Sequence, residues 1–236
     1  MKNLISVSQI SELVLFPGLM HIWGKAGSGK TSLAVALASY ASRKGPVEWI
    51  CTDGKKLFLP QLKKNIIQQR GNIDTVTVQI PQSYHESQQA ILNLVEDISP
   101  LTKCIVIDSI TRALDMSHDE SQLWGRELIE EVLPTLASLS LARRIQIIIT
   151  SEIREIPDRG PVPVLHDVIN RWSDVELAVR KSVNPRVSEI FLYSSNSPEF
   201  SLIGSISLNS NQVASLHDTD TEKTIGGHSS VQQGTV

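Results

Sequence analysis

Residues 19–38 read Leu19-Met20-His21-Ile22-Trp23-Gly24-Lys25-Ala26-Gly27-Ser28-Gly29-Lys30-Thr31-Ser32-Leu33-Ala34-Val35-Ala36-Leu37-Ala38. A short apolar run, a glycine-punctuated loop and a helix-forming run follow one another without a gap. The glycines let the backbone curl until several N–H groups face one anion. The positive end of the helix dipole adds to that field. Gly-x-x-x-x-Gly-Lys-Thr between a strand and a helix is the pattern of a phosphate-binding loop. The alternative is a Gly-rich turn before a helix that binds nothing. On the first reading Gly24, Lys25, Ala26, Gly27, Ser28, Gly29, Lys30, Thr31 and Ser32 hold the phosphates of ATP. Lys30 then reaches the β- and γ-phosphates, and the Thr31 hydroxyl binds Mg²⁺.

Outward from this loop the chain alternates strand and helix. Val47–Cys51 reads as a strand, Leu59–Arg70 as a helix ended by Gly71, and Thr75–Ile80 as another strand. Glu86–Ile98 is amphipathic, with Ala90, Ile91, Leu94, Val95 and Ile98 on one face. Cys104–Ile107 is an apolar run ending in Asp108. Leu123–Ala142 reads as a helix with Leu128, Leu133, Leu136 and Leu139 toward the core, bent or split by Pro134. Ile145–Ile149 is a buried strand. Unbroken apolar runs of this kind suit central parallel strands covered by helices on both faces. After Thr150 the prolines and glycine of 157–163 mark a loop. Residues 175–179, 189–193 and 201–206 then alternate with period two, as antiparallel strands added at the sheet edge do. The expected fold class is therefore α/β, with a mostly parallel central sheet flanked by helices and antiparallel edge strands toward the C-terminal end. One nucleotide-binding core is expected over 1–216, and a disordered polar tail over 217–236.

Composition narrows the setting. A chain of 236 residues is long enough for a large core without disulfides or a structural metal. A formal net charge of −3 does not describe a protein coated for nucleic acid, so any DNA contact must come from a local patch. Cys51 and Cys104 both lie in apolar strand-like runs and read as small core residues in a reducing compartment. No run approaches the about 20 apolar residues of a membrane span, and Met1–Leu19 lacks the pattern of a signal peptide. A cytoplasmic protein without membrane contact is the expectation.

Three acidic residues stand where they could complete the site. Asp108, at the end of an apolar strand and followed by Ser109, suits a carboxylate that holds Mg²⁺ opposite Thr31; the alternative is a helix N-cap. Asp53, after the strand Val47–Cys51, could polarise the water that attacks the γ-phosphate, or simply hold an Asp53-Gly54 turn. Glu152, just past Ile145–Ile149, could meet the γ-phosphate or pair with Arg154 at the surface. Arg154 and Arg159, on the stretch 154–165, could grip a phosphate backbone, although Glu152, Glu155 and Asp158 offset them.

Taken in order, these landmarks resemble the RecA/RadA recombinase family, and in particular its short archaeal paralogues of the RadB type. The resemblance rests on the phosphate loop, Trp49-Ile50-Cys51-Thr52-Asp53-Gly54, Val106-Ile107-Asp108-Ser109, Thr150-Ser151-Glu152-Ile153, and the segment Val168–Leu177 with Trp172 before a strand. It spans about residues 8 to 214. It implies a RecA-like core, with Lys30, Asp53 and Glu152 as catalytic residues and Thr31 and Asp108 as metal ligands. It also implies ATP and Mg²⁺ as cofactors, single-stranded DNA as a partner, and a recombinase of the RecA/RadA type or another repair protein beside it. Where the family has a catalytic Glu this chain has Asp53, and where it has a Gln sensor this chain has Glu152. Those departures imply a slow ATPase in an accessory role in DNA recombination and repair. A signalling ATPase of the KaiC type, not acting on DNA, is the alternative.

Overall fold

The computed structural model describes residues 7–112, 128–156, 160–194 and 197–219. Nine strands form one sheet: β1 (Gly18–Trp23), β2 (Val47–Cys51), β3 (Val76–Gln79), β4 (Cys104–Asp108), β5 (Gln146–Ser151), β8 (Val175–Lys181), β9 (Val187–Ser194), β10 (Ser197–Leu208) and β11 (Ala214–Asp218). Their spatial order is β11-β10-β9-β8-β1-β5-β4-β2-β3. β6 (Ile153–Ile156) and β7 (Gly160–Pro163) make a separate two-stranded antiparallel sheet.

The parallel block runs from β8 through β1, β5, β4 and β2 to β3. Every residue of β1 and β5 is buried, the signature of strands covered on both faces. Alternate residues enter two different cores. Met20 and Ile22 of β1, Trp49 of β2 and Val106 of β4 face α1 (Lys30–Ala41) and α2 (Leu59–Gln68). Leu19, Ile50, Ile105 and Ile107 face α3 (Tyr84–Asp97), α4 (Leu133–Arg143) and α5 (His166–Trp172). Helix α1 is apolar nearly all round because it is covered nearly all round, packing on the sheet, on α2 and on β11.

The α/β fold, its mostly parallel sheet with flanking helices and its antiparallel edge are as the sequence indicates. Several boundaries are not. β8 pairs parallel with β1 in the register Met20 with Val175, so the antiparallel edge begins only at β9. Its alternating pattern was misleading because its inward-facing polar residue, Glu176, is itself buried. The stretch 154–165, expected as a loop, is largely the β6–β7 hairpin. Pro161 and Pro163 fit there because only alternate residues of an edge strand donate to its neighbour. Helix α3 begins at Tyr84, two residues before the expected start, with the Ser83 hydroxyl accepting from the Glu86 N–H at 3.1 Å. The helix expected over 123–142, bent or split at Pro134, is in its described part a π-helical turn at Leu128–Val132 followed by α4, with Pro134 in the first turn of α4. Residues 123–127, and the side chains of Leu128 and Val95, lie outside the described residues. β11 runs to Asp218, past the expected core boundary at 216, and residues 220–236 lie outside the described residues. No helix among the described residues is long and apolar enough to cross a membrane.

Candidate functional site

The carboxyl ends of β1, β2, β4 and β5 meet along one edge of the sheet, the place where parallel α/β sheets put their ligands. β1 delivers the loop 24–29, which turns into α1 at Lys30. Gly29 caps that helix at φ 108°, and a Cβ there would lie 2.7 Å from the Ser188 hydroxyl. Lys30 is buried, its ammonium donating to the carbonyls of Gly24 at 2.9 Å and Lys25 at 3.0 Å. The loop is thus held closed around the Lys30 ammonium.

Thr31 and Asp108 are brought together across two elements far apart in sequence. The Thr31 hydroxyl donates to Asp108 Oδ2 at 2.7 Å, and the Thr150 hydroxyl donates to Asp108 Oδ1 at 2.5 Å. Burial pushes the Asp108 carboxyl above its usual range, and Asp53 nearby adds to that; the two hydroxyls and Lys30 work against them. A divalent cation would remove the penalty by supplying positive charge. A hydroxyl and a carboxylate this close are the hard oxygen donors Mg²⁺ takes. The described residues contain no cluster of three His, Cys, Asp or Glu able to hold a metal alone.

A cavity of about 350 Å³ opens at this point, lined by Lys30, Thr31, Asp53, Asp108 and Glu152, with Phe58 and Leu57 as its apolar wall. Asp53 faces the cavity and holds a turn as well. Its Oδ1 accepts from the Lys55 N–H at 3.0 Å and from the Cys51 thiol at 3.0 Å, and Oδ2 lies 3.3 Å from the Lys55 ammonium. Gly54 follows at φ 68°. Burial raises the Asp53 carboxyl, but these bonds outweigh it and leave the group more acidic than usual. The same surroundings, with burial first, push the Cys51 thiol up to about 12.

Glu152 is half-buried at the cavity rim, where its N–H meets the Thr111 hydroxyl at 3.4 Å. Arg154 is exposed on β6, away from the residues that line this cavity, and Arg159 lies outside the described residues. The hairpin touches the loop through an ion pair between exposed Lys25 and Glu155, 3.3 Å apart.

Two features of the site went unread in the sequence. Thr150 completes the grip on Asp108, and its place directly after an apolar strand was the available signal. The other is a buried chain below the loop. His21 Nδ1 lies 2.8 Å from Glu176 Oε1, His21 Nε2 lies 2.6 Å from the Ser151 hydroxyl, and His166 Nε2 lies 3.1 Å from Glu176 Oε2. Burial drives the His21 pKa down, so the ring is neutral. Its Nδ1 must then donate to the carboxylate, and its Nε2 accepts from Ser151. Burial would raise Glu176, yet the bonds from His166 and His21 hold it down at about 2.

A glycine loop that runs from a parallel strand into a buried helix, and faces a strand-end carboxylate through its threonine, defines a P-loop nucleotide-binding domain. Residues 20–161, more than half of the chain, match the model of the ATPase family associated with various cellular activities (AAA), and the chain belongs to that family. ATPase activity is thereby supported in general terms. No curated protein matches the chain. The match corrects the resemblance to the RecA/RadA recombinases, because AAA is a different P-loop ATPase family. The physical reason is that the most specific of those landmarks, the phosphate loop and the strand-end carboxylate facing it, are common to P-loop ATPases. They identify the class of site and do not separate its families.

Proposed function

We propose that the chain binds ATP with Mg²⁺ in the loop 24–31 and hydrolyses it slowly. The observation that carries this reading is the 2.7 Å contact between the Thr31 hydroxyl and Asp108, beside buried Lys30 at the mouth of the cavity. Lys30 would meet the β- and γ-phosphate oxygens, and Thr31 and Asp108 would hold the cation. Bound Mg²⁺ would supply charge neutralisation on the transferring phosphoryl group. Asp53 would orient the attacking water, and Glu152 would stand at the γ-phosphate end, where a carboxylate opposes binding of the polyanionic tail.

Slow turnover follows from what holds Asp53. Its carboxylate is committed to the Lys55 amide and the Cys51 thiol, and it is more acidic than an ordinary aspartate. A weak base on a short side chain misplaces water, and about 1 Å of displacement can cost on the order of a hundredfold in rate. Asp53→Glu lengthens the reach and should raise turnover several-fold at unchanged ATP affinity. A lower or unchanged rate would show that Asp53 serves only the turn.

A role on DNA draws little support from the site. Arg154 is matched by the adjacent Glu155, and the recombinase partner was implied only by the resemblance that the family match replaces.

A further inference from the structure

The phosphate loop has a second side. Behind it, between the β6–β7 hairpin and the strands β8 and β10, lies a cavity of about 690 Å³. That is within the range of small-molecule sites. Trp23 and Ser28 line it from the loop side, Arg180 and Phe200 from the sheet, and Ile153 and Pro161 from the hairpin.

Three features point to an occupant. The Trp23 indole nitrogen and the Ser28 hydroxyl are both buried and have no hydrogen-bond partner among the described residues. Trp Nε1 can only donate, so what it lacks is an acceptor. A buried donor without a partner costs about 1–3 kcal/mol and calls for an explanation. Arg180 supplies the third feature. Its guanidinium carbon lies 4.9 Å from the Phe191 ring centroid and 4.6 Å from that of Phe200. Both contacts hold the guanidinium against aromatic rings, an arrangement in which its N–H groups can fork onto an oxyanion. Around these donors the walls are apolar and aromatic: Phe200, with Trp23 edge-on at 5.8 Å, then Ile153 and Pro161. Lys25 and Lys181 line the cavity as well, and cationic donors beside aromatic and apolar walls describe an anionic aromatic ligand.

We propose that this cavity is a second ligand site, for a small planar organic oxyanion: an aromatic or heteroaromatic ring that carries a carboxylate or a phosphate. The oxyanion takes the edge of Arg180 and the Trp23 N–H, and the ring lies against Phe200 and Pro161 of the hairpin. Ala26 lines both this cavity and the nucleotide cavity. Occupancy of one therefore bears on the loop that shapes the other, which makes the second site a place for an effector of the ATP site.

The test fills the first site and titrates the second. Full-length protein is saturated with Mg²⁺ and a non-hydrolysable ATP analogue, then titrated by calorimetry with 2-naphthoate and, separately, with AMP. The two arms separate a carboxylate ligand from a phosphate one. The expected result is one-to-one binding of at least one probe. Its affinity should fall about tenfold in Arg180→Ala, the loss of a charge-assisted contact, and about fivefold in Trp23→Phe, which keeps the aromatic body and removes the N–H. Arg180→Ala should leave affinity for the ATP analogue unchanged. The site does not depend on the nucleotide reading, so Lys30→Ala protein without nucleotide should still bind the probe one-to-one, with an affinity that differs from that of the nucleotide-loaded protein by the coupling between the two sites. No binding of either probe, equal binding in all variants, or displacement of the ATP analogue by the probe would each overturn the proposal.

Discussion

Glu176 and His21 show how much of this site is set by single buried groups. Glu176 is an anion with its side chain almost wholly buried, tolerable only because two imidazoles bond it. Its pKa of about 2 lies below the ordinary 4.5, so it contributes stability that is fully present above pH 4.5 and is lost as pH falls toward 2. His21 acts in the same direction at higher pH. Its pKa is depressed below 6.5, so the unfolded chain takes up a proton first, and stability declines as pH drops below 6.5. Thermal melts from pH 8 to pH 3 should therefore show Tm falling in two stages, below about 6.5 and again below about 4.5. In Glu176→Gln the Tm should be lower at pH 8 and the second stage should shrink. An unchanged slope below pH 4.5 in that variant would mean that Glu176 does not carry the acid sensitivity.

At the scale of elements, the loop and its helix depend on backbone shapes that only glycine adopts cheaply. Gly29 has φ 108° and no room for a Cβ, whereas Gly27 has φ 73° with open space around it. Gly29→Ala should destabilise by about 2–3 kcal/mol, from conformational strain and the clash with Ser188 together. Gly27→Ala should cost only about 1–2 kcal/mol, from strain alone. Urea melts of the two variants check the order, and equal losses would contradict the account of Gly29. Elements such as α1, β2 and β4 were legible in the sequence because their local pattern and their burial agree. The hairpin was not, because its prolines signal a loop locally and are accommodated only by the pairing of 153–156 with 160–163. Ser83-x-x-Glu86 shows the reverse case, a capping signal present in the sequence and read two residues late.

Across the whole molecule, two cores on opposite faces of one sheet hold four strand ends in register at a common edge. Lys30, Thr31, Asp53, Asp108 and Glu152 lie at or just beyond the ends of four separate strands, β1, β2, β4 and β5, and line one cavity because those strands are neighbours. The phosphate loop could be read from sequence alone because its chemistry is local. The links that cross the sheet, from Thr150 to Asp108 and from His21 to Glu176, could not, since they depend on strand order. Family membership was hidden for a related reason: the residues that hold Mg²⁺ and ATP are common to P-loop ATPases, so their order along the chain does not select one family. The central claim is that the loop 24–31 binds ATP with Mg²⁺ through Lys30. Calorimetric titration of ATP into wild-type and Lys30→Ala protein, each with Mg²⁺ and with EDTA, tests it most directly. The account predicts Mg²⁺-dependent binding that weakens tenfold or more in Lys30→Ala, the loss of a contact worth about 1.5–3 kcal/mol. Equal affinity in the two proteins, or affinity indifferent to Mg²⁺, would contradict it.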